Sequence, residues 1–184
     1  MKKVALIVVL SLVALPSMLM QAQEVTDAEI AAIRAAYADA KQQVEINSHA
    51  QEQNVPRSDM EVISHYVLPG CGPTEEVIHY YFTLEDDPES ETYVYKPYLI
   101  TRSYNVAARK FYEEFLFDAD ETNLLFFFQR NDAMDGSTDE TRYYYGKHGT
   151  HQSIKGTAQM DEVFAARLAD DLKAAFNHLL NRDY

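Results

Sequence analysis

The side chains best suited to metal binding or nucleophilic chemistry are six histidines and a single cysteine, Cys71. Local pattern brings two of the histidines together. Segments 59–68 and 75–84 alternate apolar and polar residues. Between them the run Pro69, Gly70, Cys71, Gly72, Pro73 and Thr74 is dense in turn-formers, which predicts a β-hairpin. With its turn near Gly72, His65 stands opposite His79, Ile63 beside Tyr81 and Val67 beside Val77. Two facing imidazoles are able to exchange a proton or hold an ion. A zinc site needs three or four ligands, however, and Cys71 is several residues further along at ~3.3 Å per residue. No metal is expected, and His65, His79 and Tyr81 read as ligand-contacting positions on a sheet face.

The remaining nucleophile and carboxylate patterns are weaker. Cys71 sits between two glycines with no neighbouring base, and a catalytic thiolate needs one. His148 and His151 share no strand face. The loop Asn131 to Glu140 is rich in acids, but in an EF-hand register Ala133 takes the third ligand position and Arg142 the place of the closing Glu, so the calcium motif fails. No nucleophile elbow, phosphate loop, dinucleotide fingerprint or zinc-protease helix occurs, and no cofactor is expected. No catalytic residue is assigned. One carboxylate is unusual: if 109–117 is a strand, Glu113 points to the same face as Phe115 and Phe117, near Phe128, and an inward carboxylate of this kind is a candidate functional group.

Aromatic residues supply the strongest recognition signal. There are 13 Tyr and 9 Phe but no Trp, concentrated at Tyr80 to Phe82, Tyr93 to Tyr104 and Tyr143 to Tyr145. A tyrosine buries apolar area while offering a hydroxyl, which suits a sugar, peptide or amphiphile surface. Tyr81 and Tyr144 are therefore placed with His65 and His79 as candidate ligand-binding residues.

The elements that must position these groups follow from periodicity. Thr26 and Glu29 have capping-box spacing, and Ile30, Ile33, Tyr37, Ala40 and Val44 recur at helical intervals, predicting an N-terminal helix. The two strands of the hairpin follow. A third strand is expected over Thr92 to Tyr104, where Pro97 implies an edge or a bulge. Residues 106–118 carry two signals: Ala108, Phe111, Tyr112, Phe115 and Leu116 fit a helix, whereas Phe115 to Asp118 and Asn123 to Arg130 resemble the arms of a hairpin. The strand reading is preferred, with Phe117 opposite Leu124 and Phe115 opposite Phe126. A last hairpin, Thr141 to Lys147 and Thr150 to Lys155, precedes a helix whose stripe is Val163, Phe164, Leu168, Leu172, Phe176 and Leu179. The fold class is α+β: an N-terminal helix, an antiparallel meander of six or seven strands with room for strong curvature, and a C-terminal helix packed on the sheet, both helices being expected on one face.

The start of the chain speaks to location. Lys2 and Lys3, the apolar run Val4 to Leu15 and the small or polar tail ending at Gln21, Ala22 and Gln23 form a secretory signal, with cleavage expected after Ala22. The apolar run is shorter than the ~20 residues that span a bilayer. Cys71 is too far from the cleavage region to accept a lipid. The expected organisation is thus a signal peptide, 1–22, and one domain, 23–184, which is extracytoplasmic, periplasmic or secreted. Removing Lys2 and Lys3 takes the formal charge from -13 to -15, and such a surface repels phosphate backbones and anionic headgroups, so nucleic-acid and membrane partners are not expected. The resulting expectation is a non-enzymatic binding module that recognises a protein, glycan or small amphiphile through its aromatic sheet. Two alternatives remain: a carrier of an apolar ligand inside a curved sheet, and a carboxylate-based hydrolase.

Overall fold

The computed structural model describes residues 25–181 apart from 51, 53, 55, 88–91, 120–122, 133–134 and 158–159. The segment read as an export signal lies outside the described residues. Helix α1, Asp27–Ser48, is followed by strands β1 (Asp59–Leu68), β2 (Gly72–Asp87), β3 (Thr92–Val106), β4 (Arg109–Phe117), β5 (Leu124–Asp132), β6 (Thr138–Gly146) and β7 (Gly149–Lys155), and then by α2, Glu162–Leu180. The strands form one antiparallel sheet in the order β1 to β7, a meander that does not close.

Helix α1 starts where its cap dictates. The Glu29 amide donates to the Thr26 hydroxyl at 3.2 Å, and the Glu29 carboxylate accepts the Thr26 amide at 2.9 Å, satisfying two amides that the first turn leaves free. Asp161 caps α2 by accepting the Phe164 amide at 2.8 Å.

The helices lie on opposite faces of the sheet, correcting the expectation that both cover one. Ile30, Ile33 and Ala40 of α1 pack with Leu99, Leu116, Phe126 and Tyr144. Ala165, Ala169, Leu172 and Phe176 of α2 pack with Tyr80, Ile100, Phe115, Phe117, Phe127 and Tyr143. Successive strand residues point to opposite faces, so Phe115 and Phe117 go to α2 and Leu116 to α1. Every central strand is therefore buried on both sides, which is why 124–128 reads as an unbroken apolar run. The stripe expected for α2 is displaced: Val163, Phe164 and Leu179 are exposed. Leu168, Leu172 and Phe176 of that stripe do face the sheet, joined by Ala165 and Ala169, whose small side chains let the helix approach the aromatic sheet.

Within residues 106–118, Arg109–Phe117 is strand and not helix, as preferred. Val106 pairs with Arg109 across a two-residue turn, Ala107 and Ala108, and Ala107 adopts a φ of 53°. Phe117 stands opposite Leu124 as expected, but a bulge then shifts the register, so Phe115 faces Phe127 and Glu113 faces Gln129. A second bulge leaves Tyr98 of β3 without an opposite residue on β2, where Tyr81 faces Leu99 and Phe82 faces Pro97. This is the irregularity that Pro97 implied, in an interior strand. Each bulge sends one additional residue, Leu125 or Tyr98, to the α1 side.

Candidate functional site

The first hairpin sets the candidate residues differently from expectation. Gly72 and Pro73 belong to β2, and the turn is only Pro69, Gly70 and Cys71, with Gly70 at a φ of 79°. The register moves accordingly. His65 faces Glu75 and His79 faces Glu61, so the expected His65–His79 pair does not exist; Ile63 faces Val77, Asp59 faces Tyr81 and Val67 faces Pro73. Each imidazole meets a carboxylate instead: His79 Nε2 lies 2.8 Å from Glu61 and His65 Nδ1 lies 3.6 Å from Glu75. The slip is an even number of residues, so both histidines keep the face predicted for them.

All four candidate residues share the α1 face, but they do not form one site. His79 and Tyr81 stack with ring centroids 6.1 Å apart. Tyr144 is buried beneath α1, where its ring lies 5.0 Å from Phe126 and its hydroxyl 3.5 Å from Arg34 Nε. His65 stands apart near the hairpin tip. Cys71 is a free, partly exposed thiol at that tip. Among the described residues no three His, Cys, Asp or Glu side chains converge as metal ligands.

Two consecutive carboxylates are buried on opposite faces of β4. Glu113, pointing toward the α2 side, is fully buried and receives Arg102 Nη1 at 3.0 Å, the Tyr104 hydroxyl at 3.0 Å and Gln129 Nε2 at 2.8 Å. Arg102 also holds Glu76. Glu114, toward α1, is bonded by Tyr37, by Lys41 Nζ at 2.9 Å and by the Tyr112 hydroxyl at 2.6 Å. Burial, reinforced by the adjacent carboxylates, pushes the hydroxyls of Tyr37, Tyr104 and Tyr112 well above the ordinary tyrosine value, so they stay protonated and act as donors. Both carboxylates are occupied by donors within the fold and serve to fasten it: Glu114 ties α1 to β4, and Glu113 ties β3 to β5.

The concave feature that sequence reasoning missed lies between the C-terminal half of α1 and the ends of β2, β3 and β4. This groove has a volume of about 790 Å³. Its walls are largely apolar: Ala36, Ala40 and Ile46 from α1, and Tyr98 and Leu116 from the sheet. Ile46 is 45% exposed. The polar residues on its lining include Asp39, Glu85 and Asp118 with one lysine, Lys96, which pairs with Glu85 at 2.7 Å. The bulge at Tyr98 builds one wall, and burial pushes the Tyr98 hydroxyl up to about 12, holding it in the donor form. Pro97 was the one sequence signal pointing to this bulge.

No helix among the described residues is long and apolar enough to cross a membrane. No protein-family model matches the chain, and no match is found among curated proteins or solved structures.

Proposed function

We propose that this chain is an exported, non-enzymatic binding protein that takes a small amphiphile into the groove between α1 and the ends of β2, β3 and β4. One observation carries the reading: a recess of about 790 Å³ with apolar walls and charged groups among its lining residues. That size and chemistry match small-molecule sites in general. The walls favour an alkyl or aromatic tail by removing it from water. Because Asp39, Glu85 and Asp118 outnumber Lys96 among the lining residues, the head group is neutral or cationic rather than anionic. The N-terminal sequence, Lys2 and Lys3 followed by an apolar run, supports an extracytoplasmic location.

The hydrolase alternative finds less support, since Glu113 and Glu114 are each held by three donors inside the fold. The test is a fluorescence titration with N-phenyl-1-naphthylamine, an uncharged aromatic amine. Saturable binding is expected. Ala36→Asp and Ile46→Asp alter at least partly exposed positions on the α1 wall and should each weaken binding at least about tenfold, the effect of ~1.4 kcal/mol. Absence of saturation, or unchanged affinity in both variants, contradicts the proposal.

A further inference from the structure

Strand β1 is an edge of the sheet, and its hydrogen-bond parity determines what that edge offers. The Phe82 amide donates to the Ser58 carbonyl at 3.1 Å, which makes 58 and 82 a hydrogen-bonded pair one step beyond Asp59 and Tyr81. Such pairs alternate along an antiparallel ladder. The even-numbered residues Met60, Val62, Ser64 and Tyr66 therefore bond to β2, while Asp59, Glu61, Ile63, His65 and Val67 direct their amides and carbonyls outward. Unpaired strand edges of this length are templates for further pairing.

The side chains of the outward-bonding residues are self-complementary. Ile63 is 52% exposed and Val67 73% exposed, and Ile63 is flanked two residues away by Glu61 on one side and His65 on the other. We propose that β1 pairs antiparallel with β1 of a second copy, with Ile63 opposite Ile63 of that copy and Glu61 opposite its His65. A two-fold axis through Ile63 produces the acid–imidazole contact twice and an apolar contact at the centre, as an isologous interface requires. The opposite face gains Val62 against Ser64 and Met60 against Tyr66. Helix α1 packs over interior strands rather than over β1, leaving the edge clear for a second chain among the described residues.

The proposal is independent of the groove and is tested on the full mature chain. Sedimentation velocity across a concentration series reaching a few hundred micromolar should show a reversible dimer. Ile63→Lys, which sets two ammonium groups face to face, should weaken association at least about tenfold; Ile154→Lys, at an exposed position on the opposite edge strand, should leave it unchanged. The register is read by cross-linking in a Cys71→Ser background. Ile63→Cys should oxidise to a covalent dimer, since opposed residues of a hydrogen-bonded pair lie within disulfide reach, and His65→Cys should not. A monomer at every concentration, a dimer disrupted by Ile154→Lys alone, or cross-linking through position 65 instead of 63 overturns the proposal.

Discussion

Glu113 of β4 and Gln129 of β5 are direct cross-strand partners, and the Gln129 side-chain amide donates to the Glu113 carboxylate at 2.8 Å where neither residue reaches solvent. The carboxylate is also bonded by Arg102 and Tyr104 of β3, so three neighbouring strands are clamped through one side chain. Charges taken out of water are tolerated only when paired and hydrogen-bonded in this way.

Replacing Glu113 by Ala is accordingly expected to lower stability by about 3 kcal/mol, because Arg102 loses one of its two carboxylate partners, keeping Glu76, while the Tyr104 hydroxyl and the Gln129 amide lose their acceptor. Urea denaturation measures the loss. The triple replacement Glu113→Leu, Arg102→Met and Glu76→Gln removes all three charges of the network and should recover most of it. Equal losses in the single and triple variants would show that shape rather than charge pairing governs this region.

The β3–β4 turn is strained at a residue that carries a Cβ. Ala107 has a φ of 53°, a left-handed conformation that costs a non-glycine residue about 1–2 kcal/mol. Ala107→Gly removes the strain and adds some entropy to the unfolded chain, for a net gain of about 0.5–1 kcal/mol. The measurement is again the denaturation midpoint, which should rise without a change in slope.

Tyr98 should make alkaline stability depend on its own ionisation. Its folded-state pKa is pushed from the ordinary value of 10.0 up to about 12 by burial, so its neutral form is favoured by folding. The contribution is fully present below pH 10 and is lost as pH rises through about 12. Tyr98→Phe should flatten stability over that window, read by denaturation at each pH, while tyrosinate absorbance should show one fewer late-titrating ring. An unchanged titration curve would contradict the placement of Tyr98 in the groove wall.

These residues also explain what was readable in the linear chain. Thr26, Glu29 and the apolar spacing after them specify α1 locally, and the strands between 59 and 155 announce themselves by β-branched and aromatic composition. Residues 106–118 were ambiguous because Ala107 and Ala108 lack the Gly or Asn that ordinarily mark a two-residue turn. Glu113 and Glu114 moreover imitate the wet face of a helix, although both are buried. The His65–His79 pairing failed because Gly72 and Pro73, turn-formers by type, extend β2. That shortened the turn and moved the register without changing which face each histidine occupies. The groove was hidden for a different reason: it arises where a bulge, a helix C-terminal half and three strand ends meet, a tertiary coincidence that periodicity does not encode.

The claim that the groove binds an amphiphile is tested most directly by methyl-detected NMR of residues 23–184 during titration with N-phenyl-1-naphthylamine. Saturable shifts at Ala36, Ala40, Ile46 and Leu116, with Ile63, Val67 and Ile154 unmoved, are the predicted result. Shifts centred on the β1 or β7 edge, or no saturable shift at any methyl, would contradict it.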